Sequence, residues 1–333
     1  MVTMTRKQFL QGSLGLSGML MFGAPGAVTS GLAQGKDLIK VPFASTHAGS
    51  IKLMTDTVKR HKLDEKHGML WEPANLQINA LADAIILKSR PVGCLASPVV
   101  AIANGRGHKL RMFEALTINH SSLLVRADSP YKELKDLKGK KIAAVTRTSG
   151  TYQSFYTVAR MLGLDVEKEC QVLFAAPEAG RRFLESGEVE AFNIYEPFPT
   201  NMIAAGKTRE LVRVRDTWKE LVGKDMLLLG VVAYEDWIKE NPEVAKKISV
   251  VTREAVDLIH SNPAQTIQDN KASQSLESDA AMKLAEKRLI EMYTPTPLND
   301  ALIDSALLEI EKGTEFGLLD VKASRDFWTV LKK

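Results

Sequence analysis

Apolar positions along this chain alternate between two spacings. Continuous runs such as Ile142–Val145 read as strands covered on both faces. Phe155, Val158, Ala159 and Leu162, spaced i, i+3, i+4, i+7, read as one face of a helix that Gly163 stops. From residue 38 onward the order strand, polar loop, helix recurs. A strand over 38–44 is followed by the loop 45–50 and a helix over 51–63, with Leu53, Met54, Thr57 and Val58 on one side. A short apolar stretch at Met69–Trp71 precedes a helix over 79–89. The strand 91–96 runs into Ser97-Pro98, an N-cap with proline at the first helical position, and that helix ends at Gly105. Strands over 109–115, 121–127 and 170–176 follow, and a helix, a glycine stop and a further strand lead to the corner "IYEPF" at 194–198. After "DMLLLGVVAY" (225–234) helices dominate, the clearest carrying Val244, Ile248, Val251, Ala255 and Leu258 on one face. This alternation predicts an α/β sheet protein.

In such sheets ligands bind beyond the carboxyl ends of strands, where loops meet helix N-termini. The stretch "KKIAAVTRTSGTYQSFY" (140–156) has that form: Ser149 is a natural N-cap, and Gly150 lets another group come close to the backbone. The unpaired amides of the first turn favour an anion or a polar acceptor. Ser45–Ser50, Ala96–Pro98 and Ile194–Phe198 occupy comparable positions. If the two groups of strands form facing lobes, these loops line one cleft.

The 333 residues suffice for two domains, and a net charge of +4 spread among 44 basic and 40 acidic side chains leaves no nucleic-acid footprint. At the N-terminus two cations in "TRKQFL" precede a short Gly-rich apolar stretch, and Gly31 and Ala33 permit cleavage after Ala33. Residues 1–33 therefore read as an export leader, with Lys7 standing where a twin-arginine motif has its second arginine. Cys94 and Cys170 are expected to be two buried thiols. No histidine spacing suits a metal, and no G-x-S-x-G, Walker or H-E-x-x-H motif points to catalysis.

"GCLASPVVAIANG" (93–105), "SPYKELKDLKGKKIAAVTRTSGTY" (129–152) and "ESGEVEAFNIYEPF" (185–198), in this order, resemble the nitrate/sulfonate/taurine-type substrate-binding proteins of ABC importers, which include binders of thiamine-pyrimidine precursors. The resemblance implies a type II periplasmic binding protein fold: two α/β lobes, each a mostly parallel sheet flanked by helices, joined by two hinge crossings near Ser122–Ala127 and Leu227–Val232. The first lobe would hold 36–125 plus 230–333 and the second 127–228. Ligand contacts carried over by position are Thr46, His47, Ser97, Asn119, His120, Arg147, Ser149, Gly150, Thr151, Tyr195 and Glu196. Arg147 would take an acidic group in bidentate fashion, and Ser149 and Thr151 would donate to it. For His47 and His120 a packed or solvated role stays open; Tyr195 would stack on the ligand or fill the core. Glu196 is poorly suited to an anion and would more naturally hold the Pro197 corner. The implied protein is no enzyme, needs no cofactor or metal, acts in the periplasm as a monomer, and passes a small solute to an ABC permease with its ATPase. It meets the membrane only through that permease. A TRAP-type or sensory receptor, or an enzyme of menaquinone or thiamine-pyrimidine biosynthesis, shares the architecture. Nitrate, bicarbonate, alkanesulfonates, taurine, aromatic acids and pyrimidines are all open as ligands.

Overall fold

Val92–Ala96 is buried at every position, as a strand must be when it has neighbours on both edges and helices on both faces. The computed structural model describes residues 38–331, so the leader expected over 1–33 lies outside the described residues. The chain begins with β1 (Ile39–Thr46), α1 (Gly49–Arg60), α2 (Leu63–Lys66), β2 (Met69–Leu76), α3 (Ile78–Ile86), β3 (Val92–Ala96), α4 (Ser97–Gly105) and β4 (Leu110–Ile118). It continues with β5 (Ser121–Arg126), β6 (Lys141–Ala144), α5 (Gly150–Met161), α6 (Val166–Glu169), β7 (Gln171–Phe174), α7 (Pro177–Ser186), β8 (Ala191–Tyr195), α8 (Phe198–Ala204), β9 (Thr208–Arg213) and α9 (Val214–Val222). The remainder is β10 (Leu227–Tyr234), α10 (Glu235–Glu240), α11 (Pro242–Ser261), α12 (Pro263–Asn270), α13 (Asp279–Arg288) and α14 (Asp300–Glu315).

Two five-stranded sheets result, in the orders β2-β1-β3-β10-β4 and β7-β6-β8-β5-β9. In the first, β1 runs parallel to β2 and β3, and β10 enters antiparallel between β3 and β4. Register places Val41 beside Trp71, and the Trp71 ring stacks on Phe43 at 4.7 Å. In the second, β6 runs parallel to β7 and β8, while β5 lies antiparallel between β8 and β9. The two-lobe α/β architecture expected from the sequence is the one observed.

The crossings lie elsewhere than expected. Ser121–Arg126 and Leu227–Tyr234 are strands paired on both edges, each within a single sheet. The chain changes sheets at Asn119–His120 and at 223–226. An apolar run reads the same whether it bridges lobes or fills a sheet; pairing on both sides satisfies its backbone, which a bare crossing cannot. Residues 121–125, expected in the first lobe, therefore belong to the second sheet. Nor does the C-terminal segment stay with the first lobe. α11 packs on α1 and β4, but α13 packs on α8, and α14 rests against α4, α5 and β10. Of the two cysteines, both free, Cys94 is fully buried, while Cys170 is only half-buried.

Candidate functional site

The loop after β1 brings the chain to α1 without a side-chain cap: Ala48 holds the N-cap position, and the Thr46 hydroxyl is spent on the Ala48 carbonyl at 2.8 Å. The first-turn amides of α1 are left to whatever occupies the space before them. Gly49 reaches this start with φ +82, and Tyr293 Oη donates to the Ser50 carbonyl at 2.6 Å, holding the turn in place. From the other sheet, the loop after β6 leads to α5. Here Ser149 does cap, accepting from the Tyr152 amide at 3.2 Å while donating to the Thr146 carbonyl at 2.7 Å.

Both helix starts open on one cavity of about 240 Å³. Thr46, His47, Ser50, His120, Thr146, Thr148, Ser149, Gly150 and Thr151 line its polar part, and Tyr195 and Phe198 close one side with their rings 5.8 Å apart, edge to face. His120 sits in the first crossing, 7% exposed, with Nε2 3.3 Å from Ser50 Oγ and no partner for Nδ1. Burial pulls its pKa down to about 4, and the Arg215 charge acts in the same direction, so the imidazole is neutral at pH 7. Burial likewise pushes the Tyr195 phenol up to about 12. The polar end thus combines hydroxyls, the neutral His120 imidazole and helix amides.

Of the residues expected from sequence, Thr46, His47, His120, Ser149, Gly150, Thr151 and Tyr195 come together here. Ser97, Asn119, Arg147 and Glu196 do not. Ser97 is fully buried and its hydroxyl donates to the Leu227 carbonyl at 3.4 Å, leaving Ala96 to line the cavity. Asn119 Oδ1 accepts from the Ser121 amide and hydroxyl at 2.9 and 2.7 Å, which shapes the crossing. Arg147 turns outward. Its side chain is 49% exposed and forks onto Glu167 at 2.8 and 3.1 Å. Glu196 is 2% exposed, with Oε1 taking Arg288 Nε at 2.8 Å and Oε2 taking the Thr200 amide and hydroxyl at 3.2 and 2.6 Å. Arg288 also binds Glu210 at 2.7 and 2.9 Å. Glu196 therefore anchors the corner through the Thr200 backbone amide and, in addition, through a guanidinium 92 residues away.

Sequence reasoning missed the apolar wall: Ile78, Leu81 and Ile86 from α3, and Val99 and Ile102 from α4. Their helical spacing reads equally as core, and the one hint was a face ending in a charge, Val99, Ile102, Ala103, Arg106. Among the described residues no group of three His, Cys, Asp or Glu side chains is placed to hold a metal ion, and no helix is long and apolar enough to cross a membrane.

A search of curated proteins found no match. Solved structures share the fold. The alkanesulfonate-binding protein SsuA from Xanthomonas axonopodis pv. citri, bound to MOPS, superposes with a TM-score of 0.73 at 17% identity over 88% of this chain and 99% of that one. The periplasmic aliphatic sulphonate binding protein SsuA from Escherichia coli gives 0.72 at 19% identity, covering 87% and 96%. The ligand binding component of an ABC-type import system from Staphylococcus aureus, with zinc bound, gives 0.66 at 10% identity, covering 88% and 97%. The family model described as NMT1/THI5 like matches residues 77–266, from the start of α3 into α12. That span is more than half of the chain and includes both apolar walls of the cavity, the α5 helix start and the Tyr195 corner, so the chain belongs to the NMT1/THI5-like family.

Proposed function

We propose that this protein is the extracytoplasmic solute-binding component of an ABC importer, exported to the periplasm by the N-terminal leader and delivering a small organic solute to a permease with its ATPase. The observation that carries this reading is the convergence of α1 from one sheet and α5 from the other on a single cavity. A solute there touches both lobes at once, so it stabilises the arrangement in which they meet. Turning a mostly open ensemble into a mostly closed one takes on the order of 5 kcal/mol of differential affinity. Several hydrogen bonds to helix amides and hydroxyls, together with burial of apolar surface, supply a sum of that size. The amide ends favour an acidic or zwitterionic polar group. The sulfonate-binding and ABC-import structures that share the fold support the transport reading over an enzymatic one.

The test is thermal unfolding of the mature chain, beginning after Ala33, against nitrate, taurine, alkanesulfonates, straight-chain and aromatic acids and pyrimidines. A ligand present at a hundred times its Kd adds about 2.7 kcal/mol to stability, a shift of several degrees. If no member of the panel moves the transition, the reading fails.

A further inference from the structure

The cavity is deeper than a compact anion requires. β2 to β3 and β3 to β4 are crossovers in the same direction across the first sheet, so right-handed connection puts α3 and α4 side by side on one of its faces. The cavity extends between them, over Cys94 of β3. Among the described side chains that these two helices give to it, all are apolar apart from the exposed Asp83, and Arg106 just beyond the end of α4. Ala82, Ile86, Val99 and Ile102 are only half-buried, so this channel has apolar walls without a filling. The polar end lies elsewhere, at the starts of α1 and α5, where His120 keeps an unpartnered ring nitrogen. Nitrate or taurine would satisfy that end and leave the channel wet.

Resting on the solute-binding reading above, we propose that the solute is amphipathic: an acidic head at the helix starts, and an apolar tail of several carbons lying between α3 and α4. Each methylene that leaves water for such walls strengthens binding about fourfold, until the tail outruns the channel. The α3–α4 channel then selects by length, and the helix starts select by head group.

Calorimetric titration of the mature chain with straight-chain carboxylates from acetate to decanoate, and with alkanesulfonates of matching length, tests this. The expected result is an affinity that climbs about fourfold per methylene in at least one series and then levels off. In the half-buried Ala82→Phe variant the levelling comes at a shorter chain, judged against that variant's own shortest binder. Ile102→Ser lowers the slope without needing extra volume, and so serves if the phenylalanine disturbs folding. A flat series, or a Tm raised by nitrate, taurine or a pyrimidine with no response to the chains, overturns the tail assignment and leaves the binder standing. Silence from every compound in both experiments overturns both.

Discussion

Gly150, at the start of α5, presses so closely on Ala96, at the end of β3, that a Cβ added to Gly150 would lie 2.2 Å from the Ala96 Cβ and 3.4 Å from Leu228 Cδ1. Ala96 ends a strand of the first sheet and Gly150 opens the helix that follows β6 of the second, so their contact is where one lobe's helix start rests on the other's strand end. Gly150→Ala should hold the lobes apart and weaken solute binding tenfold or more, with the fold of each lobe kept. Adding Ala96→Gly to the same chain should recover most of the loss. Calorimetry on the single and double variants checks this; if Gly150→Ala binds like wild type, the contact does not gate closure.

Arg147, the cation that the sequence singles out for the solute, is expected to be dispensable. Its guanidinium is committed to Glu167 and half in water. Arg147→Ala should leave affinity within about twofold and cost no more than about 1 kcal/mol of stability, the usual yield of an exposed pair. A binding isotherm weakened tenfold would return Arg147 to the site.

Arg288 is the opposite case. It is 8% exposed and neutralises Glu196 and Glu210 together, and although burial works against it, the Arg288 charge holds the Glu210 carboxyl below its usual range. Arg288→Met would strand two carboxylates and should cost about 3–5 kcal/mol in urea unfolding. Lysine should rescue little, since one ammonium cannot reproduce the fork that serves both partners. A loss below 1 kcal/mol would show that the cluster is not needed for folding.

Glu309, on α14 where it meets α5, is 1% exposed; its Oε1 accepts from Ser154 Oγ at 2.5 Å and its Oε2 has no partner. Burial pushes its pKa up to about 8, so the folded protein prefers the neutral acid. The folded pKa lies above the unfolded one, so this group's stabilisation is complete below about pH 4.3 and is lost as the pH rises toward 8. Glu309→Gln should leave stability near pH 5 almost unchanged and raise it at pH 8, by an amount on the order of 3 kcal/mol. Parallel pH–stability curves for the two proteins would refute the assignment.

Local rules made part of this site legible. Ser149 and Gly150 were readable because a cap and a close approach leave their mark within three or four residues. Arg147 misled because its partner stands on α6, beyond the whole of α5, and sequence spacing carries no sign of that fork. Glu196 could be suspected of a corner role, yet Arg288 lies 92 residues downstream. The runs that form β5 and β10 read as strands but not as members of one sheet each, because an apolar run records burial and not which sheet provides it. The walls of the channel escaped for a related reason. A helix face packed on a core and one facing an empty channel carry the same periodicity.

The placement of β10 orders events during synthesis. Among the described residues β10 is the strand that pairs along β4, whose other edge takes only single bridges from Tyr293 and Trp328, and β10 emerges from the ribosome after every strand of the second sheet. A nascent chain can complete the contiguous second sheet while β3 and β4 still show bare edges, the kind of surface that recruits wrong partners. The first half of the protein to be made is thus the last to close, and whatever shields the growing chain must stay until Tyr234 has cleared the exit.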